Sequence, residues 1–451
     1  MTTETRGPST IENAAPLQGM RTFVIIWIGQ VISILGSRLA NFGLGVWIYQ
    51  QTGEVMSFAL TVLFGNLPQV LLLPIAGSLA DRWNRRWLMI LSDTGNALAT
   101  LAIVLLLQFH TLQIWHIYLV SAVGSIFGAF QQPAYQASIT MLAPKKRLTR
   151  ANGMVQSAGA LGGILTPLLA GFLFVTIGLS GIVLIDFVTY FFAVAALLVV
   201  RIPQPRAEPQ PDERKSTVWS DVRFAWAFLR QRPGLLGLQC YYAAVNFFLS
   251  SVFLLSSPLL LSRHPASVLG AVQMVLGIAA LVGGLIASAW GGPRKGMMIR
   301  VVVGGIALYM LGIMLAGLRP HPVFPAIGLG LNALIVSLVQ SVSNAIWQSK
   351  VAPEVQGRVF SLRYMVATVI SPLAYLTAGP LADRVFEPLL REGGPLADTV
   401  VGAVLGTGPG RGIGLMYLLA GVAVIAISVV AYLYPRIRRL EEEAPDALAG
   451  G

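Results

Sequence analysis

Apolar residues fall into twelve long runs along the chain, each closed by a short stretch of charged, Gly or Pro residues. A helix that crosses ~30 Å of hydrocarbon needs roughly 20 predominantly apolar residues. By that measure the predicted spans lie at 22–49, 56–80, 87–109, 113–142, 150–177, 180–201, 233–261, 266–290, 298–318, 322–349, 360–382 and 412–434. Spans four, five, seven and ten are longer than a bilayer is thick, which predicts tilt or extension into water.

The pattern breaks at 202–232, a Pro-rich charged linker. Its second part, Thr217 to Arg230, puts Trp219, Val222, Trp226 and Leu229 on one helical face. That face predicts a short helix lying either on the membrane surface or against the protein. The linker divides an N-terminal six-span half (21–201) from a C-terminal one (233–435), flanked by a polar N-terminal stretch (1–20) and a tail (436–451). The fold class expected is an all-α membrane protein with twelve transmembrane helices in two pseudo-symmetric six-helix bundles. The N-terminal stretch is expected to be disordered and cytoplasmic, and it has neither the apolar region nor the cleavage site of a signal peptide.

Charge agrees with this reading. Of 451 residues only 11% are charged, against roughly 25% in soluble proteins, and mean hydropathy is +0.72. The net charge of +12 invites a nucleic-acid partner, but its distribution excludes one. With both termini inside, 25 Lys and Arg fall in cytoplasmic segments and five (Arg263, Arg319, Arg384, Arg391, Arg411) on the other side, with Arg38 inside span one. Such asymmetry orients a membrane protein and needs no polyanion. The single Cys240 excludes an internal disulfide.

The densest charge cluster is Gly77-Ser-Leu-Ala-Asp81-Arg82-Trp-Asn-Arg85-Arg86. One acid and three bases cannot sit in hydrocarbon, so the run marks a short loop between spans two and three. The halves show weak internal similarity: Ala143-Pro144-Lys145 after span four matches Ala352-Pro353-Glu354 after span ten, with Arg150 and Arg358 following. A degraded counterpart of the 77–86 loop is expected near Gly284 to Lys295, with Ser288 in place of the acid. Repeated halves are a common way to build secondary transporters.

The spacing G-x-x-x-D-R-x-x-R-R resembles the signature loop of the major facilitator superfamily. The chain resembles that family over nearly its full length, and within it the drug:proton antiporter branch of macrolide, tetracycline and enterobactin exporters. The residues that carry this are Trp27-Ile-Gly-Gln30, Leu35-Gly-Ser37, Asp81 to Arg86, Arg150-Ala-Asn152, Ile185-Asp186 and Pro353-Glu-Val-Gln-Gly357-Arg358-Val-Phe-Ser361. Asn84 and Lys145 depart from the branch pattern. The resemblance implies that Asp81 latches the halves by binding the start of span eleven, where a carboxylate gains from unpaired N–H groups and the macrodipole. Gly77 would permit close helix contact, and Arg82 and Arg86 would pair with acids or lipid headgroups. Arg85, Glu354 and Arg358 complete the gating set.

Charges well inside a span are costly and mark function by default. Arg38, Asp93 and Asp186 are the candidates. Asp93 is expected to partner the basic loop or Arg363. Arg38 and Asp186 differ in depth by about one helical turn, so an ion pair between them would either lock the N-terminal half or couple protonation to transport. The resemblance implies a cavity lined by spans one, four, seven and ten, and each carries a polar stripe. Its candidates are Gln30, Ser37, Asn41, Gln132, Tyr135, Gln136, Asn246, Ser250, Gln340, Asn344 and Trp347. An amide- and aromatic-rich wall with few charges suits a bulky amphiphile. Span four has no arginine between Trp115 and Ala143, so the proton route of relatives that use one there does not transfer. The Gly406–Gly412 segment reads as a flexible turn rather than a phosphate loop.

The expected function is export of amphiphilic small molecules (drug, macrolide or siderophore-like) by a multi-pass protein of the cytoplasmic (inner) membrane, working by alternating access against proton entry. Its partners would be the bilayer, the substrate and protons, acting as a monomer with no metal, cofactor or nucleic acid. The alternatives are a lysophospholipid flippase of the same fold, or a non-transporting sensor or assembly factor. No feature of an enzyme is visible.

Overall fold

The computed structural model describes residues 20–142, 148–200, 218–294, 296–351 and 353–443. The expectations for the N-terminal stretch, the Pro-rich part of the linker, the end of the tail and the Ala143–Lys145 repeat lie outside these residues. The membrane-length helices are α1 (Met20–Thr52), α2 (Val55–Arg82), α3 (Arg85–Gln108), α4 (Ile114–Leu142), α5 (Leu148–Val199), α7 (Pro233–Leu261), α8 (Ala266–Trp290), α9 (Met298–Leu318), α10 (Val323–Lys350), α11 (Pro353–Leu381) and α14 (Arg411–Leu433). Shorter helices are α6 (Val218–Arg230), α12 (Glu387–Leu389) and α13 (Val400–Leu405).

Eleven of these helices are long and apolar enough to cross a membrane, and α5 supplies two crossings. Its residue Gly178 sits at φ 68°, ψ −173°, a conformation that only glycine takes without strain. Before it, Leu35 and Arg38 of α1 lie against Gly162, and Leu39 clusters with Ala170, so this arm runs parallel to α1. After it, Gly29, Gly36 and Gly43 of α1 face Ala196, Thr189 and Leu179 in turn, so the second arm runs antiparallel. The chain therefore reverses on one residue, as the spans predicted at 150–177 and 180–201 require.

Turns on the two faces of the bundle differ. The face bearing 82–86, 294–300 and 436–439 is rich in Lys and Arg, and we call it the basic face. Here α2 passes to α3 through Asn84, whose side chain accepts from the backbone N–H of Arg86 and Trp87 and so caps α3. The departure from the family pattern at Asn84 is thus a working cap. On the opposite face, α1 turns into α2 at Gly53 (φ 64°).

The linker helix α6 packs on the protein. Ala225 and Leu229 are buried in the large core of the C-terminal half, with Val222 and Phe228 against it, and Trp226 points outward at 46% exposure. The buried face is therefore rotated from the one expected, which included Trp226.

The halves meet where α5 lies on α8, α2 on α11 and α1 on α7. Close approach there depends on missing side chains. A Cβ on Gly270 would sit 2.3 Å from the Pro167 carbonyl oxygen, and one on Gly171 would sit 2.6 Å from that of Ala266. Overpacking of this kind typically costs ~1–3 kcal/mol. Gly270→Leu is expected to lower the melting temperature of the detergent-solubilised protein by several degrees. Gly284→Leu, at a glycine with nothing within 4 Å, should leave it unchanged; equal effects would show that the Gly270 contact is not tight.

Candidate functional site

Two helix starts on the opposite face are completed by carboxylates from the end of α11. That helix continues through a π-helical segment, Ala382–Phe386, into α12. Asp383 Oδ1 accepts from the N–H of Val55 at 3.0 Å and Oδ2 from that of Met56 at 2.8 Å. Val55 and Met56 open α2, so a carboxylate of the C-terminal half caps a helix of the N-terminal half. Both hydrogen bonds are charge-assisted, and the negative charge faces the positive end of the α2 dipole. Four residues on, Glu387 accepts from Gly410 N–H at 3.1 Å and Ile413 N–H at 3.2 Å, and so caps α14 within its own half. The contact at α2 is close because residue 379 is glycine: a Cβ there would lie 2.9 Å from Met56 Cα. Tyr49, Glu54, Asp383, Arg384, Glu387 and Arg391 wall a cavity of about 870 Å³ around this junction.

Asp383 was legible in the sequence. Ala378-Gly-Pro-Leu-Ala-Asp383-Arg384 at the end of α11 repeats Ala76-Gly-Ser-Leu-Ala-Asp81-Arg82 at the end of α2. The two helices also begin alike, Glu54-Val55 and Glu354-Val355. The pattern at 378–384 stands beside the degraded counterpart expected near Gly284, where the Ser288 hydroxyl donates to the Gly284 carbonyl of its own helix.

On the basic face, α2 ends at Arg82, α3 opens with Arg85, and α11 begins at Pro353. The side chains of Gly77, Asp81, Arg82, Glu354 and Arg358 lie outside the described ones. Arg86, expected to meet acids or headgroups, instead donates to the carbonyls of Leu197 at 2.7 Å and Leu198 at 2.9 Å. Those carbonyls end the second arm of α5 and lack helical donors, which makes them acceptors for a cation.

Inside the N-terminal half, both candidate carboxylates are buried and held by neutral groups. Asp93 is 4% exposed and accepts from Gln30 Nε2 at 3.0 Å and from Gln131 Nε2. Gln131 also donates to Gln30 Oε1 at 2.9 Å, closing a three-residue ring. Asp186 is 8% exposed and accepts from Ser37 Oγ at 2.9 Å and Thr100 Oγ1 at 2.8 Å. Two expectations are corrected here. Among the described side chains Asp93 binds amides and no basic group, and Arg38 donates to the Gly159 carbonyl at 3.3 Å rather than to Asp186. Ser37 and Arg38 are ~100° apart around α1, so the residue facing Asp186 turns its neighbour toward the first arm of α5. Arg363, expected near Asp93, lies in the C-terminal half, donating to Asn344 and Ser343 at 3.0 Å over the rings of Trp347 and Tyr242.

The polar stripes divide between environments. Gln30 and Ser37 serve the two carboxylates. Asn41 is exposed, as is Gln132, which Gln69 approaches at 3.4 Å. Tyr135 and Asn246 are half-buried, and Ser250 bonds Ser371 at 2.9 Å. Gln340 and Asn344 are exposed, whereas Trp347 is fully buried and belongs to the core, not to a cavity wall. The Gln136 side chain lies outside the described ones. The 406–412 turn is fixed: Arg263 donates to the carbonyls of Thr407 and Pro409, and Arg411, 1% exposed, donates to those of Gly317 and Leu405.

Twelve crossings in two six-helix halves, joined along α2–α11 and α5–α8, define a multi-pass membrane transporter. The family model for the Major Facilitator Superfamily matches residues 26–375, and the chain belongs to that superfamily. It is 26% identical to macrolide efflux protein A of Streptococcus pyogenes over 93% of this chain and 97% of that protein. It is 22% identical to the multidrug efflux pump Tap of Mycolicibacterium fortuitum over 87% of this chain and 91% of that one. A similar fold occurs in a bacterial homolog of the human lysosomal transporter Spinster, solved inward-facing and unoccupied, with TM-score 0.65, 16% identity and coverage of 94% and 98%. The nucleoside transporter NupG matches with TM-score 0.64, 13% identity and coverage of 92% and 99%.

Loss of an N-cap side chain typically costs ~0.5–2 kcal/mol, and 1.4 kcal/mol is a factor of ten in an equilibrium. Asp383→Ala is therefore expected to raise labelling of a cysteine at Ala59, buried one turn into α2, by a factor on the order of ten. The reagent is an impermeant maleimide applied to the opposite face in a Cys240→Ala background. Glu387→Ala, whose cap lies within one half, should not raise it; equal labelling in both variants would show that Asp383 does not hold this face shut.

Proposed function

We propose that this transporter is a proton-coupled exporter of bulky amphiphilic molecules, macrolides among them, working by alternating access in the cytoplasmic (inner) membrane. The observation that carries the reading is the cross-half cap at α2. Its donor helix and its acceptor helix end in the same seven-residue pattern, A-G-x-L-A-D-R. Asp383 closes the opposite face onto α2. Asp81, at the equivalent place, would close the basic face onto the start of α11 when the halves rock the other way. Two carboxylates at opposite ends of one helix pair are what alternating access requires: each stabilises one closure and releases it for the other.

The charge asymmetry supports placing the basic face and both termini in the cytoplasm, so the Asp383 cap would seal the outward face. Export rather than uptake, and macrolides as the first substrates to try, rest on the relatives that are efflux proteins along nearly their whole length. The exposed amides Gln132, Gln340 and Asn344 are offered as contacts for such substrates. The protein would act as a monomer.

Everted inner-membrane vesicles with a respiration-generated pH gradient test this directly. Adding a macrolide is expected to collapse the gradient, and Asp81→Asn and Asp383→Asn should each reduce the collapse severalfold at equal expression. No collapse with any of a panel of macrolides, tetracyclines, dyes and siderophores, in a protein shown to be folded, would overturn drug export and leave lipid flipping or a non-transport role.

A further inference from the structure

The N-terminal half contains a string of three cavities, each with polar side chains in its wall, that passes between the two buried carboxylates. Nearest the opposite face is a cavity of about 400 Å³ walled by Asn41, Asn66, Gln69, Ser121, Thr100 and Asp186. It shares Ser37, Asn41, Asn96 and Asp186 with a second of about 150 Å³, which also includes Asp93, Arg38 and Tyr190. The second shares Ile34, Arg38 and Gln131 with a third of about 410 Å³, which runs beside Trp27, Gln30, Gln132 and Tyr135 toward the basic face. All three are walled by this half alone.

The order follows from the helices. Asp186 is bonded by Thr100 and Asp93 lies seven residues earlier on α3, so the carboxylates differ in depth by ~10 Å. The middle cavity, which both line, spans that step. Its volume accommodates a few waters at ~30 Å³ each. Buried carboxylates are costly inside a membrane bundle, and where they line a polar cavity they mark an ion or proton route.

The chemistry of the ligand shell narrows the role. Among the described residues each carboxylate is held by hydroxyl or amide donors, and none of them is a cation. Ser, Thr and Gln side chains hold a carboxylate as acceptors or as donors, and can serve either protonation state. The charged and titratable groups facing the pair are Arg38 from α1, Tyr190 from the second arm of α5, and each carboxylate for the other. Tyr190 OH lies 3.0 Å from Thr94 Oγ1, and Arg38 is turned onto the Gly159 carbonyl. From α2 and α4 the cavity walls offer only hydroxyls and amides as polar groups, Thr61, Asn66, Gln69, Ser121, Ser125, Gln131 and Gln132, beside the half-buried Tyr135 of α4. A metal cation would want several oxygen ligands on one centre, and here two carboxylates stand about two helical turns apart. The mobile proton is the ligand that fits.

The structure assigns Asp186 and Asp93 as a two-station proton path through the N-terminal half. A hydronium ion entering from the opposite face gives its proton to the Asp186 carboxylate, leaving water and a neutral carboxylic acid. The proton passes along water in the middle cavity to the Asp93 carboxylate, restoring Asp186 to its anionic form. Asp93 then releases it to water on the basic face, past Gln30 and Gln131. No net charge accumulates, and one proton crosses per cycle of the pair. This rests on the proton-coupled reading above and names the residues that carry it.

Two measurements separate this proposal from that reading. The first needs no drug: infrared difference spectra of the purified protein between about pH 4 and pH 9, a range that brackets ordinary and strongly shifted carboxyl groups. The band of protonated carboxyl groups is expected to grow at low pH, and Asp186→Asn and Asp93→Asn should each remove part of it. Asn keeps the size and an acceptor oxygen, so the variants retain Ser37, Thr100 and the glutamine ring as partners. The second is transport in vesicles. Each variant is expected to lose drug-driven proton movement at least tenfold while drug counterflow, which needs no net proton, stays within about twofold of the parent.

Titrating bands assigned to both residues support the path even if no drug in the panel is moved, in which case only the export reading fails. Bands that do not change with pH, or drug-coupled proton movement that survives in both variants, overturn it. Equal loss of proton movement and counterflow would also overturn it, since the carboxylates would then be structural.

Discussion

A helix that begins at the edge of a membrane leaves its first amide N–H groups without partners, and hydrocarbon offers none. In this protein the acceptor that α2 lacks comes from the other half of the molecule. Asp383 is therefore both a local cap and a joint between bundles. The contact uses the strongest kind of backbone hydrogen bond available, and it forms only when glycine lets the end of α11 approach Met56. The rest of the interface follows the same logic. Gly171 and Gly270 bring α5 and α8 to backbone contact nearby, so the closure on this face combines one ionic clamp with tight small-residue packing.

The halves use their interiors differently. The C-terminal half packs the largest core, with Trp347, Tyr417 and Met310 fully enclosed, and commits the buried Arg411 to the turn at 406–412. The N-terminal half encloses cavities of its own, and lines them with amides, hydroxyls and two carboxylates. The large cavity at the opposite face is instead shared, walled mostly by the C-terminal half around Asp383 and Glu387.

Much of the fold was legible because length and hydrophobicity are robust signals. The twelve runs match the helices closely, including the pair split at Gly178 and the linker helix before Pro233. What sequence could not supply was azimuth. Depth along the helices put Arg38 and Asp186 near one level, and Ser37, the residue before Arg38, does meet Asp186. Which of two adjacent residues faced the carboxylate depended on how α1 rotates against both arms of α5. The 406–412 turn looked loose because its anchors, Arg263 and Arg411, act through backbone carbonyls that carry no sequence signature. Asp383 was a different kind of miss. The repeat at 378–384 is spelled out in the chain, but Arg384 reads first as a loop charge, and the regular order of the spans points the comparison with 77–86 at α8 rather than α11.

The single-residue reversal at Gly178 has a mechanical meaning. Most neighbouring helices in such bundles are tied by several loop residues, which absorb small displacements before they reach the next element. Here one glycine joins the arm that leans on α8 of the other half, at Pro167 and Gly171, to the arm that carries Asp186 eight residues later. There is no slack in that connection. Were the halves to rock about α5 and α8 as proposed, the movement would reach the Ser37–Asp186–Thr100 clasp directly, as a lever delivers force at its short end.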